Sequence, residues 1–184
     1  MRLFLAITLT EDIKKKITIF QDLLRSPFLT ANWVHHDNFH ITMKFLGNVS
    51  GNVLVRLEEE LQRFALQQEP FKLSVSEIGV FPNLVVPRVL WAGTRSEKLA
   101  ELADGLDSIL APLGFEEKKR DFVGHITLAR IKRGRIKTSW LEERTTHFFL
   151  PELRVKKITL YQSTLTPQGP VYKVVKHFRF NGSR

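Results

Sequence analysis

The chain contains one short pattern twice, and this duplication constrains its fold more than any other feature. In the first copy, an apolar strand beginning at Arg2 is followed by a helical segment and then by His40-Ile41-Thr42-Met43. In the second, a strand beginning at Arg88 is followed by a helical segment and by His125-Ile126-Thr127-Leu128. The interval from arginine to histidine is 38 residues in the first copy and 37 in the second. Two copies with so long a period predict a pair of similar lobes, and not a solenoid.

Hydrophobic periodicity predicts the elements of each half. Apolar residues at helical spacing predict helices at about 11–25, 51–67, 97–111 and 138–146. Apolar runs and alternation predict strands at about 2–9, 39–46, 71–80, 88–92, 153–163 and 171–180, and one through the second histidine motif. Thr10 is the predicted N-cap of the first helix, and a loop is predicted between Pro27 and Phe39.

These elements predict one bilobal α+β domain over residues 1–184. Its repeated copies span about 2–47 and 88–132, with antiparallel or mixed sheets around a central cleft and helices outside. No apolar run is long enough to span a membrane. The apolar Met1–Thr10 lacks the pattern of a signal peptide, so it is predicted to be a strand. The chain has no cysteine, which excludes disulfides and thiolate chemistry and favours a cytoplasmic location.

The two histidine strands carry the chemistry that we expect of this chain. In a strand, residues i and i+2 point to the same side, so His40 and Thr42 present an imidazole and a hydroxyl together. His125 and Thr127 do the same, and we expect the two pairs to face each other across the cleft. One neutral histidine can then deprotonate a nucleophile while the other, protonated, donates to the leaving oxygen at phosphorus. The threonine hydroxyls can hold the non-bridging phosphate oxygens.

A purely structural role and a metal site are both less consistent with these residues. One histidine-x-threonine strand alone is most simply a polar strand face, but its repetition at matching positions favours catalysis. His35 and His36 lie near His40, yet zinc-ligand spacing and cysteines are absent, so no metal and no cofactor are predicted. No phosphate-binding glycine loop is present. His147 and His177 have no repeated partner and are interpreted as ordinary surface or packing residues.

The charge of the chain indicates a polyanionic partner. The formal net charge is +9, and residues 118–137 contain eight basic side chains against one acid, Asp121. Such a cluster beside the second histidine strand predicts a track for RNA phosphates. Phe81 and Trp33 are candidates for stacking on bases, whereas Trp91 falls in a predicted core strand and is better explained by packing.

With these residues in place, the chain resembles the 2H phosphoesterase superfamily, in particular the RNA 2′,3′-cyclic phosphodiesterases historically called 2′-5′ RNA ligases. The similarity extends over essentially the whole chain. The segments that carry it are Arg2–Ala6, Asn38–Gly47, Gly79–Pro82, Pro87–Trp91, His125–Arg130 and Ile158–Val175.

The resemblance implies hydrolysis of a terminal 2′,3′-cyclic phosphate to a 2′-phosphate. It implies His125 as proton acceptor and His40 as proton donor, Thr42 and Thr127 as phosphate binders, and Arg130 as a further phosphate contact. The implied partners are RNA ends carrying a 2′,3′-cyclic phosphate, tRNA fragments among them, with no membrane partner, and the chain is expected to be a monomer. Reversible 2′-5′ RNA ligation is also implied, with an RNA 5′-hydroxyl replacing water.

Two positions raise questions about the geometry. Strict alternation places Arg130 on the face opposite His125, so its role requires a bend or bulge. Gly124 stands where the family commonly has proline, and it is expected to loosen the approach to His125. Two alternatives stay open: a phosphodiesterase for small cyclic nucleotides or 2′-5′ oligonucleotides, and a non-catalytic RNA- or nucleotide-binding module.

Overall fold

The computed structural model of the protein describes residues 1–94, 96–117, 121–146, 148–167 and 169–182. Four residues singled out in the sequence, Lys118, Lys119 and Arg120 of the basic cluster and also His147, lie outside the described residues.

The predicted α+β class is confirmed. The helices are α1 (Glu11–Leu24), α2 (Gly51–Leu66), α3 (Glu97–Leu110) and α4 (Thr138–Thr146). The strands are β1 (Arg2–Thr8), β2 (Leu29–Trp33), β3 (His40–Asn48), β4 (Phe71–Leu73), β5 (Glu77–Phe81), β6 (Val89–Thr94), β7 (Gly124–Gly134), β8 (Leu153–Val155), β9 (Lys157–Thr166) and β10 (Gly169–Arg179). Thr10 occupies the N-cap of α1, but its side chain makes no capping hydrogen bond.

Eight strands form one sheet in the described part of the chain, in the order β10-β9-β1-β3-β7-β6-β5, with β2 also paired to β7. The pairings are antiparallel throughout the ladders that we describe. The two repeated strand pairs, β1 with β3 and β6 with β7, meet at the centre, where Ile41 pairs with Ile126. The lobes are therefore two halves of a continuous sheet.

Strand register aligns the two copies more accurately than their arginines do. Thr8 pairs with His40, and Gly93 pairs with His125, so each interval is 32 residues. The copies therefore align with Ala6 equivalent to Trp91 in the repeat. Matching the arginines instead aligns Leu5 with Trp91, which is wrong by one residue and explains the unequal intervals in the sequence.

The helices pack on one face of the sheet, and that face contains the core. Leu5 of β1, Ile41 of β3 and Ile126 of β7 are each fully buried. They belong to one apolar cluster with helix residues such as Ile17 and Leu102. Because side chains alternate along a strand, the residues between these apolar positions face the opposite side of the sheet. That opposite face carries both histidine motifs.

A buried ion pair joins the halves. Lys44 of β3 extends from the first half and contacts the carboxylate of Asp107 on α3 of the second half. Its ammonium also donates to the backbone carbonyl of Glu116 at 2.6 Å. The Lys44 and Asp107 side chains are almost wholly removed from solvent. Loss of one partner therefore leaves a buried charge uncompensated, which is strongly destabilising.

The structure differs from the predicted elements where pairing partners are remote. The predicted loop before Phe39 contains β2, which pairs with the far end of β7. The predicted strand at 71–80 is two strands, because β4 pairs with β8 in a small separate sheet while β5 pairs with β6. The predicted strand at 153–163 is likewise divided into β8 and β9. Among the described residues, no helix is both long and apolar enough to cross a membrane.

Candidate active site

The two histidine-threonine pairs lie on the open face of the sheet. His40 and Thr42 are half-buried, with Ile41 and Met43 buried on the core side of β3. His125 and Thr127 are half-buried in the same way on β7. Because β3 and β7 are antiparallel neighbours that pair at Ile41 and Ile126, the two motifs stand next to each other with opposite directions. The duplication therefore brings four polar side chains to the middle of one surface.

A β-bulge comes directly after the threonine of each motif and changes the face on which the next side chains lie. On β7, Thr127 pairs with Trp91 and Ala129 with Leu90, so Leu128 is the extra residue. Leu128 and Ala129 are consequently both buried, and Arg130 emerges exposed on the face of His125. The bulge that Arg130 requires is thus present.

The first copy has the equivalent bulge. On β3, Thr42 pairs with Ala6 and Lys44 with Leu5, so Met43 is the extra residue. Met43 and Lys44 are both buried, and Phe45 then emerges with 71% of its surface exposed. Phe45 and Arg130 each lie three residues after the motif threonine. The open face therefore carries an arginine in one half and an exposed aromatic ring in the equivalent position of the other.

Both histidines are held in the same tautomer by backbone carbonyls just before their strands. His40 Nδ1 donates to the carbonyl of Asn38 at 2.7 Å, and His125 Nδ1 donates to the carbonyl of Val123 at 2.8 Å. Each acceptor lies two residues before its histidine. The proton on Nδ1 leaves Nε2 of the neutral ring as an acceptor. His40 Nε2 accepts from the Thr42 hydroxyl at 2.9 Å.

Burial and neighbouring charge set the protonation of the site. Burial, assisted by the charges of His125 and Arg130 and opposed by the Asn38 carbonyl, lowers the pKa of His40 to about 4. Burial, with a smaller contribution from Arg130, also lowers the pKa of His125 against the opposing Val123 carbonyl. Arg130 is thus close enough to act electrostatically on both histidines. Burial and the nearby charge of Arg130 therefore favour neutral imidazoles at this site.

Aromatic rings surround each histidine, and the sequence interpretation missed most of them. Phe4 lies 5.0 Å from His40 between ring centroids, and Tyr172 lies 5.3 Å from it edge-on. Tyr161 stacks on Phe4 at 5.3 Å. Tyr161 and Tyr172 come from the C-terminal hairpin, whose position beside β1 could not be read from the repeat. These rings desolvate His40 and fix its orientation.

Trp91 does not belong to the core, contrary to the sequence interpretation. It pairs with Thr127 and therefore shares the open face with His125, stacked on Phe81 at 5.0 Å between centroids. Its ring lies across Gly79 and Gly93, where an added Cβ would approach ring atoms to 2.2 and 2.3 Å. Phe81 in turn contacts His125 edge-on at 5.0 Å. The error came from treating the strand as buried on both faces, whereas Leu90 and Ala92 face the core and Trp91 between them faces the other side.

Gly124 does not loosen the approach to His125. It lies in β7 paired with Thr94, and an added Cβ would come within 2.6 Å of the Leu99 side chain and 2.9 Å of the Thr94 methyl group. Glycine is present here because α3 and β6 pack closely against the strand. The strand entering His125 is therefore tightly held.

The remaining aromatic and histidine candidates lie away from the site. Trp33 packs on the core side, with the Arg25 guanidinium 4.9 Å from its ring centroid, and not beside the histidines. His36 contacts the carboxylate of Glu11 at 3.0 Å and the hydroxyl of Thr18 at 3.1 Å. Within the described ranges, no group of three or more histidine, aspartate or glutamate side chains is placed to hold a metal ion.

Comparisons with known proteins show which family the chain resembles over its length. A family model described as LigT like Phosphoesterase matches residues 7–91 and 93–172, one match for each half. An RNA 2′,3′-cyclic phosphodiesterase of Methanocaldococcus jannaschii is 37% identical, over 97% of this chain and all of that protein. One of Archaeoglobus fulgidus is also 37% identical, over 97% and 99%.

Solved structures share the whole fold. The crystal structure of a Thermus thermophilus protein matches with a TM-score of 0.85 and 30% identity, covering both chains completely. The crystal structure of LigT from E. coli complexed with 3′-AMP matches with a TM-score of 0.80 and 29% identity over 97% of each chain.

Proposed function

This chain belongs to the LigT-like phosphoesterases of the 2H phosphoesterase superfamily, and we propose that it hydrolyses RNA-terminal 2′,3′-cyclic phosphates to 2′-phosphates. One observation supports the proposal above all: two histidines from equivalent strands share one face, each with Nδ1 donating to the backbone carbonyl two residues before it. Proton transfer is therefore assigned to Nε2, which in His40 contacts the hydroxyl of Thr42. The names of the relatives describe the same activity in those proteins.

In the proposed reaction, His125 is the base and His40 the acid. His125 Nε2 accepts a proton from water, whose oxygen forms the new bond to phosphorus. The bond from phosphorus to O3′ breaks, and protonated His40 gives its Nε2 proton to O3′. The products are a 2′-phosphate and a 3′-hydroxyl. Joining of RNA ends through a 2′-5′ linkage uses the same displacement, with an RNA 5′-hydroxyl attacking in place of water.

The remaining polar groups hold the phosphate. The hydroxyls of Thr42 and Thr127 donate to non-bridging oxygens, and Arg130 neutralises their charge. Since His40 is neutral in the free site, it needs the negative charge of the substrate to become protonated. Substrate binding therefore raises the pKa of His40 and switches the acid on.

RNA is the favoured substrate because charge and aromatic surface continue beyond the histidines. Arg130, Lys132, Arg133 and Arg135 are exposed along and just after the end of β7. Such a row attracts successive phosphates. Phe45 offers an exposed ring on which a base can stack. A small cyclic nucleotide would use the histidines but not the basic row.

Product analysis tests the function. A 5′-labelled oligoribonucleotide ending in a 2′,3′-cyclic phosphate is incubated with protein in excess EDTA, and its products are compared with 2′- and 3′-phosphate standards. We expect the 2′-phosphate from wild type and from His35→Gln, a control at an exposed histidine outside the site, and at least about 100-fold slower formation by His40→Ala or His125→Ala. A 3′-phosphate product, or loss of turnover on chelation, refutes the proposal. Turnover of a cyclic mononucleotide but not of the oligomer favours the small-nucleotide alternative, and binding without turnover favours a non-catalytic module.

We also propose that residues 1–184 act as one domain, with copies at about 2–47 and 88–132. The support is that the two halves share β3 and β7 as central neighbours and that Lys44 contacts Asp107 across them.

A further inference from the structure

A chain of hydroxyl groups runs through the sheet from its edge to the candidate site. The Tyr161 hydroxyl lies 2.9 Å from the Thr8 hydroxyl, and Thr8 lies 2.9 Å from Thr159. Thr159 in turn lies 2.9 Å from Nδ1 of His177. These four residues belong to β1, β9 and β10, and Thr159 is wholly buried. We call them the hydroxyl chain.

The hydroxyl chain ends beside His40. Thr8 pairs with His40 across β1 and β3, so the two side chains share the open face. The ring of Tyr161 stacks on Phe4, which contacts His40, and the centroids of Tyr161 and His40 are 6.4 Å apart. His177 lies at the other end, opposite Thr159 on β10.

Each hydroxyl has a single proton, which fixes the direction of the hydrogen bonds. When Nδ1 of His177 accepts, Thr159 must donate to it, Thr8 must then donate to Thr159, and Tyr161 must donate to Thr8. The proton of Tyr161 is then committed, and its oxygen can only accept from a group in the site. When Nδ1 of His177 donates to Thr159, the hydroxyl of the buried Thr159 is free to donate a hydrogen bond to Thr8. Thr8 can then donate to the oxygen of Tyr161. The Tyr161 proton is then free to point into the site.

The surroundings of His177 favour the neutral ring, the only form in which Nδ1 can accept. Partial burial, followed by the charges of Lys157 on β9 and Arg179 on β10, lowers the pKa of His177. In the neutral tautomer with its proton on Nε2, Nδ1 of His177 accepts from the hydroxyl of the buried Thr159. The sequence pattern assigned no role to His177, because the duplication contains no second histidine that matches it.

We propose that the hydroxyl chain presents Tyr161 as an acceptor-only oxygen that binds the nascent 3′-hydroxyl, with Thr8, Thr159 and His177 as positioning residues. This inference rests on the proposed function. When the P–O3′ bond breaks and His40 transfers its proton to O3′, the new hydroxyl donates to the Tyr161 oxygen. The cyclic substrate has no proton at O3′, so this bond forms only as the reaction proceeds and contributes to kcat more than to KM. Protonation of His177 releases the Tyr161 proton and removes this preference.

Kinetics of matched variants test the chemical role. We expect Tyr161→Phe and Thr159→Val each to lower kcat by about three- to tenfold, with a smaller change in KM, as expected for loss of a neutral hydrogen bond. Thr159→Ser keeps a hydroxyl and should restore kcat. If wild type turns over the substrate and Tyr161→Phe has the same kcat, the role of Tyr161 is refuted while the proposed function stands. Absence of wild-type turnover refutes the proposed function, and the assigned role of Tyr161 falls with it.

An NMR titration tests the linkage without catalysis. In wild type labelled with ¹³C-tyrosine, the Cζ resonance of Tyr161 should shift with the same midpoint as the His177 ring. The shift should vanish in Thr159→Val and in His177→Gln and should return in Thr159→Ser. A Tyr161 resonance that does not follow His177 in folded wild type overturns the hydroxyl chain as a linkage, whatever the activity.

Discussion

Burial of a neutral His40 should make the folded protein lose stability as the pH falls. The folded pKa of about 4 lies below the ordinary 6.5, so between these values the unfolded chain binds a proton that the folded chain excludes. Stability from this group is complete above the unfolded pKa and is lost as the pH falls towards the folded pKa. From pH 7 to pH 5, linkage gives a loss of about 2 kcal/mol from His40 alone.

The assay is urea unfolding of wild type and His40→Gln at both pH values. Other titrating groups contribute to both proteins, so the difference between their pH dependences isolates His40. Wild type should lose about 2 kcal/mol more than the variant, which corresponds to roughly 4–8 °C in Tm for a chain of this size. His35→Gln, at an exposed histidine, should follow wild type. Equal losses in wild type and His40→Gln would refute a buried neutral imidazole, and with it the need for substrate charge to protonate His40.

Three further substitutions address the surroundings of the histidines. Arg130→Gln should raise KM by roughly 10- to 100-fold, about 1–3 kcal/mol for a charge-assisted phosphate contact, and should raise the pKa of both histidines in an NMR titration; unchanged titration curves would contradict its position. Gly124→Ala should destabilise the fold by about 1–3 kcal/mol in urea unfolding, because the new methyl group overpacks against Leu99; a neutral result would show that the strand has room. Asp107→Leu should cost about 3–5 kcal/mol, whereas the double variant with Lys44→Met should recover most of it; an equally unstable double variant would contradict the presence of an uncompensated buried charge.

The sequence was sufficient for the parts of the fold that repeat. Helical spacing of apolar residues located the four helices within about one residue at their ends. Period-two alternation in the doubled His-Ile-Thr motif placed both histidines and both threonines on one face of the sheet. These predictions succeeded because alternation and helical spacing are local properties of the chain. The need for a bulge before Arg130 followed from alternation together with the phosphate contact that the family resemblance implies for this arginine.

The remainder of the site depends on contacts between distant segments. Tyr161 and Tyr172 reach His40 only because β9 pairs with β1, and β2 exists as a strand only because β7 extends beyond its first partner. Trp91 was assigned to the core because its apolar strand was taken as buried on both faces, and the open face that Trp91 lines is assembled from β6 and β7, which are remote in sequence. Gly124 was expected to be loose because its neighbours on α3 and β6 are remote in sequence.

A leaving-group substitution tests the division of labour between the two histidines most directly. An oligomer whose cyclic phosphate carries sulfur in place of O3′ expels a thiolate, which needs no proton from an acid. We predict that His40→Ala loses about 10²- to 10⁴-fold on the oxygen substrate, as expected for loss of a proton transfer, but turns over the sulfur substrate at close to the wild-type rate. His125→Ala should fail on both substrates. Equal losses on the two substrates in His40→Ala, or rescue of His125→Ala instead, would contradict His40 as the acid and His125 as the base.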